Sequence, residues 1–166
     1  MNSNPPSNPP SPPHPNPRRP PRLPVLFQTH RPFFFITFNT HKRTPLLANA
    51  AIHDAFILFC QRAGERGIAV GRYVIMPEHI HLFLALPPDT SLQAWVQSIK
   101  NVLGKTLLTL GHDKPHWQEG FFDHLLRSGE SYSLKWDYVR QNPVRANLSP
   151  TPEAWPYQGE IHPIAF

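Results

Sequence analysis

The chain has 166 residues, 22 of them proline, far above the roughly 5% usual in globular proteins. Its formal net charge is +5, only 16% of residues are charged, and Cys60 is the single cysteine, so a disulfide scaffold is excluded, as are collagen and a coiled coil. Apolar runs such as the one around Leu82–Leu86 are much shorter than a bilayer span, and the N-terminus has no apolar signal core. The composition therefore points to a cytoplasmic protein without a membrane segment.

Eleven prolines fall within residues 1–24, together with Arg18, Arg19 and Arg22, and no acidic residue precedes Asp54. The basic excess is thus local, and a basic arm explains most of it. With almost no apolar content, 1–24 cannot offset the entropy of ordering and is expected as a disordered Pro/Arg-rich arm. One folded domain over 25–158 follows, then a short tail over 159–166.

Phe33 to Phe38 alternates as a strand, with Phe34, Ile36 and Phe38 facing one way and Phe33, Phe35 and Thr37 the other. Pro45 is placed to open a helix. Apolar residues then recur at helical spacing from Leu46 to Phe59, and Gly64 and Gly67 end the run. Ile68–Met76 and His79–Leu86 read as a hairpin of two strands broken at Pro77–Glu78. Thr90 and Gln93 have the form of a capping box for a helix running to about Leu110, with Gly111 just past its end. Trp117–His124 contains a fourth strand. Glu130–Asn142 reads as a third helix stopped by Pro143, because the residue before proline avoids helical geometry. The order β-α-β-β-α-β plus a helix is an α+β, ferredoxin-like antiparallel sheet with an additional C-terminal helix.

His79 and His81 are two apart on the third strand, so both imidazoles share one face while Ile80, Leu82 and Leu84 face the core. Paired histidines on a rigid strand suit a divalent metal. Yet ten histidines in this chain give about 0.6 such triplets by chance, and two solvent-facing histidines would be equally ordinary. Tyr138 and Asn142 are one helical turn apart. They could converge on a histidine site, or simply form a helix edge and a terminator. Single-stranded nucleic acid is usually held by a cationic track with aromatic platforms. Arg127, Lys135, Arg140 and Arg145 are the leading cations, with Lys100 and Lys105 on the second helix. Phe33, Phe35, Trp117, Phe121 and Phe122 are available for base stacking, although such residues are more often core.

Four blocks taken together carry more weight: Tyr73 to Leu84 around Pro77–Glu78–His79–Ile80–His81, Trp117 to Arg127, Tyr138 to Leu148 around Asn142–Pro143–Val144–Arg145, and Trp155–Pro156–Tyr157. In this order and spacing the chain resembles the REP-associated tyrosine transposases, a stand-alone branch of the single-tyrosine HUH transposases of bacterial insertion sequences, over about residues 25–158. The resemblance implies that His79 and His81 are metal ligands, Asn142 the further polar ligand and Tyr138 the nucleophile. It also implies that the tyrosine helix lies against the histidine strand, that Mg²⁺ or Mn²⁺ is the cofactor, and that hairpins of single-stranded DNA are the substrate. A metal-dependent endonuclease and strand transferase acting through a 5′-phosphotyrosine is then expected, as monomer or homodimer. Where the family usually has glycine the chain has Asn147, which also tolerates a left-handed helix cap. The arm at 1–24 inherits nothing. Two other readings compete. One is a non-catalytic single-stranded nucleic-acid-binding module on the same sheet, for which the third strand lacks the RNA-recognition aromatics. The other is a metallohydrolase, whose nearest base, Glu78, should face away from both histidines.

Overall fold

The computed structural model describes residues 31–164; the arm expected at 1–24 lies outside them. Five strands form one antiparallel sheet. They are β1 (Phe33–Asn39), β2 (Ala69–Ile75), β3 (His79–Ala85), β4 (Phe122–Leu126) and β5 (Gln158–Glu160), in the spatial order β4-β1-β3-β2-β5. Two helices, α1 (Ala50–Ala63) and α2 (Leu92–Thr109), supply the apolar layer on one side of the sheet. The ferredoxin-like order is as expected. Strand alternation sorts the two faces. Ile36, Phe38, Ile80, Leu82 and Leu84 enter the core shared with Phe56, Ile99 and Leu103, whereas Phe33, Phe35 and Phe83 enter a second cluster on the opposite side. Central β3 is paired on both edges and buried from Leu82 to Ala85, which explains its near-continuous apolar sequence.

The second cluster is roofed by α3 (Gly129–Val139), followed by the single turn α4 (Asn142–Arg145). Tyr132 meets the rings of Phe33 and Phe83 edge-on, with centroids 5.2 and 4.8 Å apart. Arg72 of β2 lies over Tyr132 and Trp136, 5.1 and 5.5 Å from their ring centres, and 3.6 Å from Glu160 of β5. A β2 side chain thus ties α3 to the last strand. The segment expected as a tail after 158 is docked: His162 N–H donates to the Val70 carbonyl at 2.8 Å, and its ring accepts from Val70 N–H at 3.1 Å. A Cβ on Gly71 would meet the Ile164 Cδ1 methyl at 2.9 Å, so the C-terminal segment packs closely on this β2 position, beside the irregularity between Val70 and Tyr73.

Several boundaries differ from expectation. The first helix begins at Ala50, not Pro45, because Asn49 is its cap and accepts from Ile52 N–H at 3.0 Å. The stretch before it is held instead to the β2–β3 turn by a 2.9 Å bond from Leu47 N–H to the Pro77 carbonyl. Ser91, not Thr90, caps α2, accepting from Ala94 N–H at 3.2 Å. Gly111 lies just past the end of α2, as expected, in a left-handed conformation (φ 84). Pro143 does not stop α3, which ends at Val139; it sits in the first turn of α4, where a missing N–H costs nothing. Asn147 has φ 54, the left-handed conformation foreseen for it.

Lys100 and Trp117 are structural rather than available to a ligand. Lys100 is only 5% exposed, and its Nζ donates to the carbonyls of Gln118 and Gly120 at 3.0 and 2.6 Å. Trp117 Nε1 donates to the Lys100 carbonyl at 2.8 Å, and its ring packs edge-on against Phe38. Lys100→Met should therefore lower the unfolding free energy by about 1–3 kcal/mol, as for other lost charge-assisted bonds. Denaturant unfolding measures the loss, and hydrogen exchange should show it concentrated at 117–121.

Candidate active site

The strand period that buries Ile80 and Leu82 sends His79 and His81 to the face covered by α3. Their Nε2 atoms lie 3.0 Å apart. Each ring is held from behind. Thr37 Oγ1 lies 2.7 Å from His81 Nδ1, its register partner across β1–β3, and Glu78 Oε1 lies 3.0 Å from His79 Nδ1. The carboxylate accepts the His79 Nδ1 proton, leaving Nε2 with a lone pair. The Thr37 hydroxyl can donate or accept. When it donates, His81 presents Nε2–H to His79; when it accepts, both Nε2 lone pairs face one point. Two cis ligands about 2.1 Å from a common octahedral ion are about 3.0 Å apart, so the pair fits a small divalent cation. Among the described residues no three His, Cys, Asp or Glu side chains form a metal cluster, so further protein ligation here would come from a neutral oxygen.

Burial, reinforced by His79 and then by Arg43, Arg145 and Lys135, pushes the His81 pKa down to about 3. Burial also lowers that of His79, with Glu78 opposing. Both rings are thus held neutral, the form in which imidazole ligates metals. The surroundings are cationic. Lys135 Nζ sits 5.2 Å from the centre of the Phe35 ring, which in turn stacks on His81 at 5.4 Å. Arg43 lies 3.8 Å from Glu78, on a turn where Lys42 and Arg43 both have positive φ (51 and 57).

Tyr138, near the end of α3, is 64% exposed. Asn142 opens α4, so a helix break separates the two. Arg145 touches both: Nη2 donates to the Tyr138 carbonyl at 2.9 Å and to Asn142 Oδ1, while the guanidinium lies 4.2 Å from the Tyr138 ring centre. Among the described residues no hydrogen bond joins the Tyr138 hydroxyl to either imidazole. Of the other expected cations, Arg140 pairs with Glu153 at 2.8 Å and Arg127 and Lys105 are exposed. Phe33 and Phe35 are buried beneath α3 and cannot stack bases as expected; Phe121 is half-buried on the helix-side core, and Phe122 is 57% exposed. Glu78 is another correction. It precedes β3, so strand alternation does not apply to it, and it meets His79 rather than facing away. Thr37, Glu78 and Arg43 were absent from the expected site. Only Thr37 left a signal, its polarity on the Phe33–Phe35 face.

The sequence profile described as "Transposase IS200 like" matches residues 33–141. The chain belongs to this family. A Haemophilus influenzae relative, provisionally named a REP-associated tyrosine transposase, is 27% identical over 151 residues, covering 78% of this chain and 84% of its own length. The solved structure of a REP-associated tyrosine transposase bound to a REP hairpin superposes with a TM-score of 0.61 at 24% identity, covering 80% of each chain. A Deinococcus radiodurans protein, provisionally named a transposase, matches at 15% identity and a TM-score of 0.48, over 69% of this chain and 92% of its own. The family profile and the Haemophilus influenzae relative agree with the resemblance drawn from the four sequence blocks and with a transposase role, and the hairpin-bound structure agrees with the fold. Among the described residues no helix is long and apolar enough to cross a membrane.

The lowered His81 pKa has a consequence for stability. Between about pH 3 and the ordinary value of 6.5 the unfolded chain binds a proton here that the folded chain does not. Stability should therefore be complete above pH 6.5 and fall on acidification, by up to about 1.4 kcal/mol per pH unit from this group. Denaturant unfolding in chelator at stepped pH checks the slope, which should shrink in His81→Gln.

Proposed function

We propose that this transposase-family chain is a metal-dependent single-stranded DNA endonuclease and strand transferase that works through Tyr138. The observation that carries the reading is a neutral imidazole pair with converging Nε2 atoms, ringed by Arg43, Lys135 and Arg145, on the sheet face that the Tyr138-bearing helix covers. Lone pairs there suit a cation, and the surrounding positive charge suits a phosphodiester.

His79 and His81, with Asn142 as oxygen donor, would hold Mg²⁺ or Mn²⁺, which when bound supplies Lewis-acid polarisation of a phosphate oxygen. The Tyr138 hydroxyl attacks phosphorus in line, forming an Oη–P bond as the P–O3′ bond breaks. The phenol loses its proton, the departing 3′ oxygen gains one, and a 5′-phosphotyrosine remains. The new linkage retains the phosphodiester's energy, so attack by another 3′ hydroxyl joins strands without a nucleotide cofactor. Lys135 and Arg145 offset phosphate charge, and Arg127, Arg140 and the exposed Phe122 are candidate contacts beyond the scissile bond. The tyrosine helix packs on its own chain's sheet, Tyr132 and Trp136 against Phe83, which supports a site completed within one chain. By likeness to the hairpin-bound structure, the substrate is a single-stranded DNA hairpin.

The test is a denaturing gel of purified protein with Mn²⁺ and hairpin single-stranded DNA. A covalent protein–DNA band should form, vanish with chelator, and vanish in Tyr138→Phe while hairpin binding persists. A band that survives in Tyr138→Phe rules out the nucleophile; salt-sensitive binding that ignores chelator and never gives a band favours a non-catalytic module. Thr37→Val removes the group behind His81 and should weaken Mn²⁺ binding about 10–100-fold, as second-shell losses do, measured by titration followed by electron paramagnetic resonance.

A further inference from the structure

One continuous helix would hold Tyr138 and Asn142 a turn apart on a single face. Here the helix is interrupted: α3 ends at Val139 and α4 begins at Asn142, with Arg140 and Gln141 between them right-handed but flattened (ψ -19 and -7). With both ψ values well short of the α-helical value of about −42°, the backbone by itself holds the phenol and the amide oxygen less firmly than an unbroken helix would. Arg145, the last residue of α4, bridges the break. Its Nη2 donates to the Tyr138 carbonyl at 2.9 Å and to the Asn142 side-chain oxygen, and its guanidinium carbon lies over the Tyr138 ring, 4.2 Å from the centroid.

We propose that Arg145 is a positioning residue that fixes the Tyr138 ring and the Asn142 oxygen relative to each other across the α3–α4 break. The proposal rests on the roles assigned above to those two residues. The chemistry of the group favours it. A planar guanidinium can present two protons from one nitrogen in its plane while offering its face to a ring, which an ammonium cannot match. Because it only donates, it dictates which end of the Asn142 amide faces it, and an amide oxygen with two lone pairs stays able to accept a second partner. The ring contact restrains a side chain that is otherwise 64% exposed. A nucleophile held at one angle needs no ordering at the moment of attack, and misplacing it by about an ångström can cost about 100-fold in rate.

The experiment uses the full chain as wild type, Arg145→Lys and Arg145→Ala. Tyrosine rings are labelled with ¹³C, and the Tyr138 signals are assigned by their loss in Tyr138→Phe. In wild type these signals should be displaced from the free-tyrosine position. Both variants should bring them to it, while Tyr73, Tyr132 and Tyr157 stay put and report an intact fold. With saturating Mn²⁺ and hairpin DNA, the single-turnover rate of adduct formation should fall about 10–100-fold in both variants, and in Arg145→Lys, which keeps the charge, hairpin affinity should change less than about threefold, the signature of a lost transition-state interaction. Unmoved Tyr138 signals would overturn the proposal. So would a loss confined to hairpin affinity at unchanged saturated rate, which would make Arg145 a phosphate contact. A wild-type chain that forms no adduct, yet whose Tyr138 signals respond to the variants as described, would uphold the positioning role and defeat the proposed chemistry instead.

Discussion

The two-residue period of β3 is the constraint from which the site follows. Ile80, Leu82 and Leu84 are fully buried against α1 and α2, so the alternate residues His79, His81 and Phe83 have no choice of face. A register slip of one residue would exchange the whole set and bury two imidazoles among leucines. The helix-side core therefore aims the histidines, although no residue of α1 or α2 belongs to the site. The same register brings Thr37 opposite His81, so the partner that orients one ring is supplied by the pairing that builds the sheet.

Covering that second face with α3 has an electrostatic result. Desolvation holds both imidazoles neutral, while three cations gather round them and Glu78 offsets part of that charge. The two kinds of basicity are thereby separated. The neutral rings keep nitrogen lone pairs at the centre, and the positive charge around them is carried by the side chains of Arg43, Arg145 and Lys135. Were the histidines themselves the cations, they could attract a phosphate but not a metal.

Much of this was legible in the chain. Strand order, the face of each β1 and β3 residue, and the His79–His81 pair follow from alternation, because the signal is local and period two leaves little freedom. What was not legible depends on distant partners or on competition between nearby signals. Proline at 45 and 143 reads equally as a helix opener or a boundary, and Asn49 and the early end of α3 decided the matter. Lys100 looked like an ordinary basic residue of a helix surface until the carbonyls of Gln118 and Gly120 closed round it. Glu78 sits one residue outside the strand whose alternation was applied to it. Strand β5 has only three residues, Gln158–Glu160, without an apolar pattern, and its place is set by β2 rather than by its own sequence.

That last strand bears on the site more than its length suggests. A helix of 11 residues such as α3 is marginal in water by itself, so its position is whatever its contacts make it. Those contacts are Tyr132 and Trp136 against Phe83, Val139 and Trp155 in the shared cluster, and Arg72 reaching over both aromatic rings while held by Glu160. Trp155 in turn donates its indole N–H to the Ile75 carbonyl at 3.0 Å, which pins the run leading into β5 beside the end of β2 nearest the histidines. The placement of α3 on its sheet face is thus the product of residues 155–160 as much as of α3 itself. Histidines aimed by the helix-side core lie on a sheet face whose covering helix is seated by the chain's last strand.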